Sequence, residues 1–139
     1  MTQYLDRYVR YLETLSPETL DDLPAYVHPS VRFADPFNDV RGVEAMRRVF
    51  DDMFEAVGPV SLEVGHRAVN AGAAYIAWTF HARLGGKPWD FEGVSQIRFD
   101  DDGLVTSHVD HWDTGREFFA RLPVVGWAVR GIRRRLRVA

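Results

Sequence analysis

The sequence predicts a single α+β domain in which helices come first and a curved antiparallel sheet follows. Two observations carry that prediction. Apolar residues recur at three- and four-residue steps as far as residue 57, and from residue 60 the pattern changes to period two, with a short turn signal after each run. At 139 residues, 46% of them hydrophobic and 13% aromatic, the chain can bury a core of its own.

The elements come in order. Tyr4, Leu5, Tyr8, Tyr11, Leu12 and Leu15 mark one face of a first helix. Ser16-Pro17-Glu18 reads as a new start, with serine as N-cap, proline at the first helical position and an acid in the first turn. This second helix carries Leu20, Leu23 and Tyr26 inward and stops near His28-Pro29. A short strand, VRFAD, comes next. Val43, Met46, Phe50, Met53, Phe54 and Val57 then define a strongly amphipathic third helix, closed by Gly58-Pro59. Four strands are expected near 60–69, 73–84, 88–99 and 104–113, joined at Asn70-Ala71-Gly72, Gly85-Gly86 and Asp101-Asp102-Gly103 into a meander. Residues 115–139 read as a helical, basic C-terminal extension of the one domain, broken at Pro123.

Composition excludes several classes. Zero cysteines remove disulfides, thiolate metal sites and cysteine nucleophiles, and suit a reducing, cytoplasmic compartment. The start, MTQYLDRYVRYLETL, has no apolar h-region and reads as lacking a signal peptide. A formal charge of −3 argues against a general nucleic-acid binder. The arginines at 130, 133, 134, 135 and 137 are the local exception. GWAVRGIRRRLRV mixes apolar and basic positions, and reads as a solvated last helix or, alternatively, as a membrane-surface or partner contact. No G-x-x-x-x-G-K-[ST] loop and no G-x-S-x-G elbow is present.

Three features could carry chemistry. Asp35 falls where the alternation of VRFAD calls for an inward side chain, and Pro36 and Phe37 come directly after it. Either Asp-Pro opens a turn whose carboxylate caps local amides, or an apolar pocket raises the acid's pKa and makes it a proton acceptor near neutral pH. Tyr11 is either core or a buried phenol able to donate to a developing oxyanion. In SHVDHWD, alternation puts His108, Asp110 and Trp112 on one face and Ser107, Val109, His111 and Asp113 on the other. That first set reads as a cavity wall with an acid–base pair, or as a solvated edge strand. No metal is expected, because no HExxH-like spacing accompanies these histidines.

Taken together, the helix–helix–strand–helix–meander order, Tyr11, ADPF at 34–37 and RFDDDGLV…HWD at 98–113 resemble the ketosteroid isomerase branch of the nuclear transport factor 2-like superfamily. SnoaL-like cyclases belong to the same superfamily. The resemblance covers roughly residues 4 to 113 and leaves the tail unmatched. It implies a cone-shaped, mixed β-sheet wrapped around helices. It also implies that Asp35 shuttles a proton, that Tyr11 supplies the oxyanion hole, and that Trp112 lines the pocket. The second acid of the isomerases' oxyanion hole falls on Ser95, a shorter and weaker donor. Loss of one such donor typically costs about 3 to 4 kcal/mol of transition-state stabilisation, so steroid isomerisation itself does not transfer. The resemblance to SnoaL-like cyclases, which also use an aspartate and a histidine as acid–base apparatus in this cone, is looser than the one at Asp35 and assigns no residue to either role.

The expected function is cofactor-independent acid–base chemistry on a small hydrophobic carbonyl compound, an isomerisation, cyclisation or lyase step. Asp35 acts as base, Tyr11 with Ser95 or His108 holds the enolate oxygen, and His108 and Asp110 relay the proton. Phe33, Phe37, Phe54, Trp78, Trp89, Phe91 and Trp112 wall the cavity. No Asp-Arg-Asp arrangement supports an epoxide hydrolase. The alternative is a non-catalytic small-ligand-binding module, or a dimerising one that packs the sheet face of Thr79, His81, Arg83, Val94, Gln96 and Val109 against a twin. A homodimer fits every one of these readings.

Overall fold

The computed structural model describes residues 1–137. Helix α1 (Thr2–Glu13) buries Leu5, Tyr8, Val9, Tyr11 and Leu12, the stripe its spacing predicts. The second helix is shorter and tighter than expected: residues Thr19–Ala25 form a 3₁₀ segment. Pro24 lies inside it, and its missing N–H denies an α-helix one of its i→i−4 bonds. Ser16 still opens the segment, because its Oγ accepts from the Thr19 amide at 3.2 Å while Thr19 Oγ1 accepts from the Ser16 amide at 2.8 Å. This is a reciprocal cap. His28-Pro29 does not end a helix, since strand β1 (Val27–Ala34) already runs through it.

Strand β2 (Asp39–Arg41) has three residues, too few to show an alternation in the sequence. Helix α2 (Val43–Val57) is followed by β3 (Ser61–Asn70), β4 (Ala73–Leu84), β5 (Lys87–Phe99) and β6 (Val105–His111). β3 to β6 form the expected antiparallel meander. β1 then joins parallel to β6, which makes a six-stranded mixed sheet in the order β2-β1-β6-β5-β4-β3. Helices α1 and α2 cover its inner face, and their apolar stripes meet Val31, Phe33, Ile76, Trp78 and Ile97 in one core. After the sheet come a short helix α3 (Thr114–Glu117), a 3₁₀ turn (Phe119–Arg121) and helix α4 (Pro123–Leu136). The expected extension reaches residue 139, so its last two residues lie outside those described.

The parallel β1–β6 pairing sets the geometry of the site. Its register opposes Phe33 to His108 and Ala34 to Val109, which brings the residue after β1, Asp35, alongside the row of Asp110. Two stretches more than 70 residues apart in sequence thereby share one wall.

Candidate active site

Asp35 is held by a turn of its own making. Its amide donates to the Asn38 carbonyl at 2.8 Å as β1 folds back into β2. Its Oδ1 accepts from the amides of Phe37 (2.8 Å) and Asn38 (2.7 Å) and from Asn38 Nδ2 (3.1 Å). The carboxylate therefore caps local amides as an Asp-Pro turn does, and it also lines a cavity. Asp35 thus caps the turn and borders the cavity at the same time. Burial pushes the Asp35 pKa above the ordinary carboxylate value, against the three hydrogen bonds that pull it down, and the Asp110 charge adds to the rise.

The second carboxylate sits at the end of a chain of donors. Ser95 and Asp110 are direct cross-strand partners on β5 and β6, and the Ser95 hydroxyl donates to Asp110 Oδ1. The Trp78 indole N–H in turn donates to Ser95 Oγ at 2.8 Å. From the other side, His108 Nε2 lies 2.7 Å from the same Oδ1, and His108 Nδ1 lies 2.8 Å from the Tyr8 hydroxyl. One assignment satisfies every group: Tyr8 O–H donates to Nδ1, and His108 is neutral with its proton on Nε2, donating to an Asp110 carboxylate. Burial, with the Asp110 charge behind it, pushes the Tyr8 phenol well above its ordinary pKa, which keeps the phenol a donor. Among the described residues no hydrogen bond ends on Asp110 Oδ2. Ser95, His108 and Asp110 have the residue types of a hydrolytic triad but not its order. Serine and histidine both bond the aspartate rather than each other, so the histidine does not serve Ser95 as the base of a triad.

Gly93 makes this arrangement fit. It opposes Trp78 across β4 and β5, and a Cβ there would stand 2.4 Å from the indole Cη2. Only a residue without a side chain lets the ring lie across the strand and reach Ser95.

Two cavities adjoin the network. The larger, of about 410 Å³, is lined by both carboxylates and a wall of aromatic rings, a size and make-up typical of small-molecule sites. Phe33, Phe37, Trp78, Trp89, Phe91 and Trp112 all line it. The smaller, of about 70 Å³, lies against Ser95, His108 and Asp110. Asp110 and Trp78 border both. Among the described residues no three His, Asp or Glu side chains gather as metal ligands would.

Two expected site residues lie elsewhere. The Tyr11 hydroxyl donates to the Thr19 carbonyl at 2.9 Å, and its ring stacks on Tyr26 at 4.0 Å. Tyr11 lines neither cavity, and its phenol, raised to about 12 chiefly by burial, is a structural brace for the 3₁₀ segment. Phe54 packs on the core from α2 but also lines neither cavity. Conversely, Tyr8, Asn38 and Phe118 belong to the site without being singled out by the sequence. Tyr8 stands one turn before Tyr11 at the centre of the Leu5–Leu12 stripe, and that central position was the available signal. Phe118, beyond the sheet, packs edge-on against Phe37 at 5.1 Å and closes one side of the larger cavity.

Comparison with known proteins gives a consistent picture. A nuclear transport factor 2-like protein of unknown function from Burkholderia pseudomallei superposes with a TM-score of 0.73 at 16% identity, over 84% of this chain and 95% of that one. A provisionally assigned SnoaL-like polyketide cyclase from Jannaschia sp. gives 0.70 at 16% identity, over 79% and 85%. An LEH-like epoxide hydrolase from M. tuberculosis gives 0.67 at 18% identity, over 94% and 93%. At these identities the likeness is one of fold. No curated protein sequence matches the chain. The model of the SnoaL-like domain matches residues 8–108, a span that holds Tyr8, Asp35, Ser95 and His108, and the chain belongs to the SnoaL-like domain family.

Proposed function

We propose that the larger cavity catalyses cofactor-independent proton transfer on a small, hydrophobic carbonyl compound. The observation that carries this reading is the convergence of donors on one oxygen of Asp110. Ser95 and His108 anchor Oδ1, which leaves Oδ2 without a partner among the described residues, and Asp110 lines the cavity together with Asp35. In this reading Asp110 Oδ2 removes a proton from the carbon next to the substrate carbonyl. The Asn38 side-chain amide, oriented by its bond to the Asp35 carboxylate, supplies a donor for the developing enolate oxygen. The proton on Asp110 is then returned to a different carbon, giving an isomer, or, where the enolate carbon has closed a ring onto a second carbonyl of the substrate, to the alkoxide oxygen formed there. His108, fixed between Tyr8 and Asp110, holds the base in orientation and spreads its charge. In this reading the base is Asp110 rather than Asp35, and the oxyanion donor is the Asn38 amide rather than Tyr11. Neither cavity has an arginine in its lining, so the geometry gives no support to epoxide hydrolysis.

The test is exchange of the α-protons of a lipophilic cyclic ketone for deuterium in D₂O, followed by NMR. General-base catalysis by a positioned side chain is worth about 10² to 10⁴ in rate, so Asp110→Asn should lose about that factor while ketone binding persists. Equal exchange by wild type and Asp110→Asn overturns the proposal. Binding without any exchange favours a pure ligand-binding module.

A further inference from the structure

Helix α4 lines neither cavity, yet it is the most unusual surface of the molecule. Residues 118–139 hold six arginines and no acid. Since the whole chain has 17 basic and 20 acidic side chains, residues 1–117 carry all 20 acids against 11 bases. The charge asymmetry is therefore strong: a body of net −9 joined to a tail of net +6.

The helix is also two-sided along its length. Val124, Ala128, Ile132 and Leu136 recur at four-residue steps and, with Val125 beside them, form one stripe. Arg130, Arg133 and Arg134 form a second stripe, with Trp127 one turn before its start; Arg135 falls on the apolar side next to Ile132, and Arg137 follows the helix in extended backbone. The inward side is fixed at Gly126, where a Cβ would meet the Ala120 carbonyl oxygen at 2.7 Å, and Arg130 donates to that same carbonyl. The apolar stripe consequently faces out: Val124 is 81% exposed, Leu136 76% and Ile132 60%, and Trp127 at the head of the basic stripe is 70% exposed. No helix among those described is long and apolar enough to span a membrane.

We propose that α4 docks the protein on an anionic lipid surface, lying in the interfacial plane. Charge complementarity selects an anionic partner, and the apolar stripe selects lipid among anionic partners. A nucleic acid would pair the arginines but leave Val124, Ile132 and Leu136 in water. A bilayer interface takes arginines at the headgroups and Trp127 at their boundary, and it buries the stripe at the edge of the acyl region. The acidic body is repelled by the same surface, so the contact is confined to the helix.

Co-sedimentation of the full-length protein with vesicles tests this, using phosphatidylcholine alone and phosphatidylcholine mixed with phosphatidylglycerol. The expected result is partitioning onto the mixed vesicles only, reversed by salt, with a tryptophan blue-shift that Trp127→Phe removes. Arg134→Gln should weaken partitioning about fivefold, the worth of one basic residue near such a surface. Ile132→Ser with Leu136→Ser leaves the charge unchanged and should release the protein. Three outcomes overturn the proposal. One is no partitioning onto mixed vesicles. Another is partitioning indifferent to the two serines, which marks a general polyanion site. The third is a dimer disrupted by the serines without any vesicle binding, which assigns the stripe to a second copy of the chain. Asp110→Asn should bind vesicles as wild type does, so failure here and failure of the proton-transfer reading are separable.

Discussion

The Asp35 carboxyl has a pKa above its ordinary value because desolvation outweighs the three hydrogen bonds it accepts. The folded protein therefore binds that proton more tightly than the unfolded chain does. The stability contributed by this linkage is present below the ordinary carboxylate pKa of about 3.9 and is lost as pH rises through the folded value. Asp35→Asn keeps an acceptor oxygen for the amides of Phe37 and Asn38 but carries no charge to desolvate. It should raise the melting temperature at neutral pH, with the gain vanishing below about pH 4, as a pH series of thermal melts would show. A stabilising substitution at a buried charge is what a functional acid predicts. Tyr8→Phe acts in the opposite direction. It strips the donor from a buried His108 nitrogen and should cost about 1 to 3 kcal/mol in urea denaturation, whereas Tyr11→Phe loses one bond to a carbonyl and should cost about 0.5 to 1.5. At this scale the sequence identified Asp35, His108 and Asp110 by alternation. It could not rank Tyr8 against Tyr11, because both lie on the buried side of one helix and only their partners, His108 and Thr19, differ.

Elements set these distances through register. Gly93 on β5 opposes Trp78 on β4, and the backbone oxygen of His111 lies 2.9 Å from where a Cβ would stand. Backbone on one side and an indole on the other leave little room to relax. Gly93→Ala should therefore destabilise by about 1 to 3 kcal/mol through overpacking, and it should shift the fluorescence of Trp78 as the ring leaves Ser95. If urea midpoint and emission are both unchanged, the indole does not lie across the strand. The antiparallel meander was legible because its turns carry Gly-Gly and Asp-Gly signals. β2 was not, at three residues. The parallel β1–β6 contact left no local trace either, since its partners are more than 70 residues apart and connected through α2 and four strands.

For the molecule as a whole, the aromatic residues are sorted by compartment. Three of the four tryptophans, Trp78, Trp89 and Trp112, line the larger cavity, and Trp127 stands exposed on α4. A lipophilic ketone entering the cavity should quench most of the intrinsic fluorescence, while acrylamide should reach Trp127 first and remain able to do so with ketone bound. Titration with both quenchers checks this, and a ketone that spares the cavity tryptophans argues against the larger cavity as its site. Phe118 and the Trp89 indole, which donates to the Glu117 carbonyl at 2.7 Å, tie the cavity wall to the segment that leads into α4. The α+β class, the order and type of nearly all the elements, the aromatic wall and the basic tail were determined by the sequence itself, because each is written in local periodicity, turn chemistry or composition. Which carboxylate is anchored, which tyrosine reaches the histidine and how Asp35 comes beside Asp110 were decided only by the tertiary structure. Those depend on the register of strands distant in sequence, and no local pattern encodes a register with a partner 70 residues away.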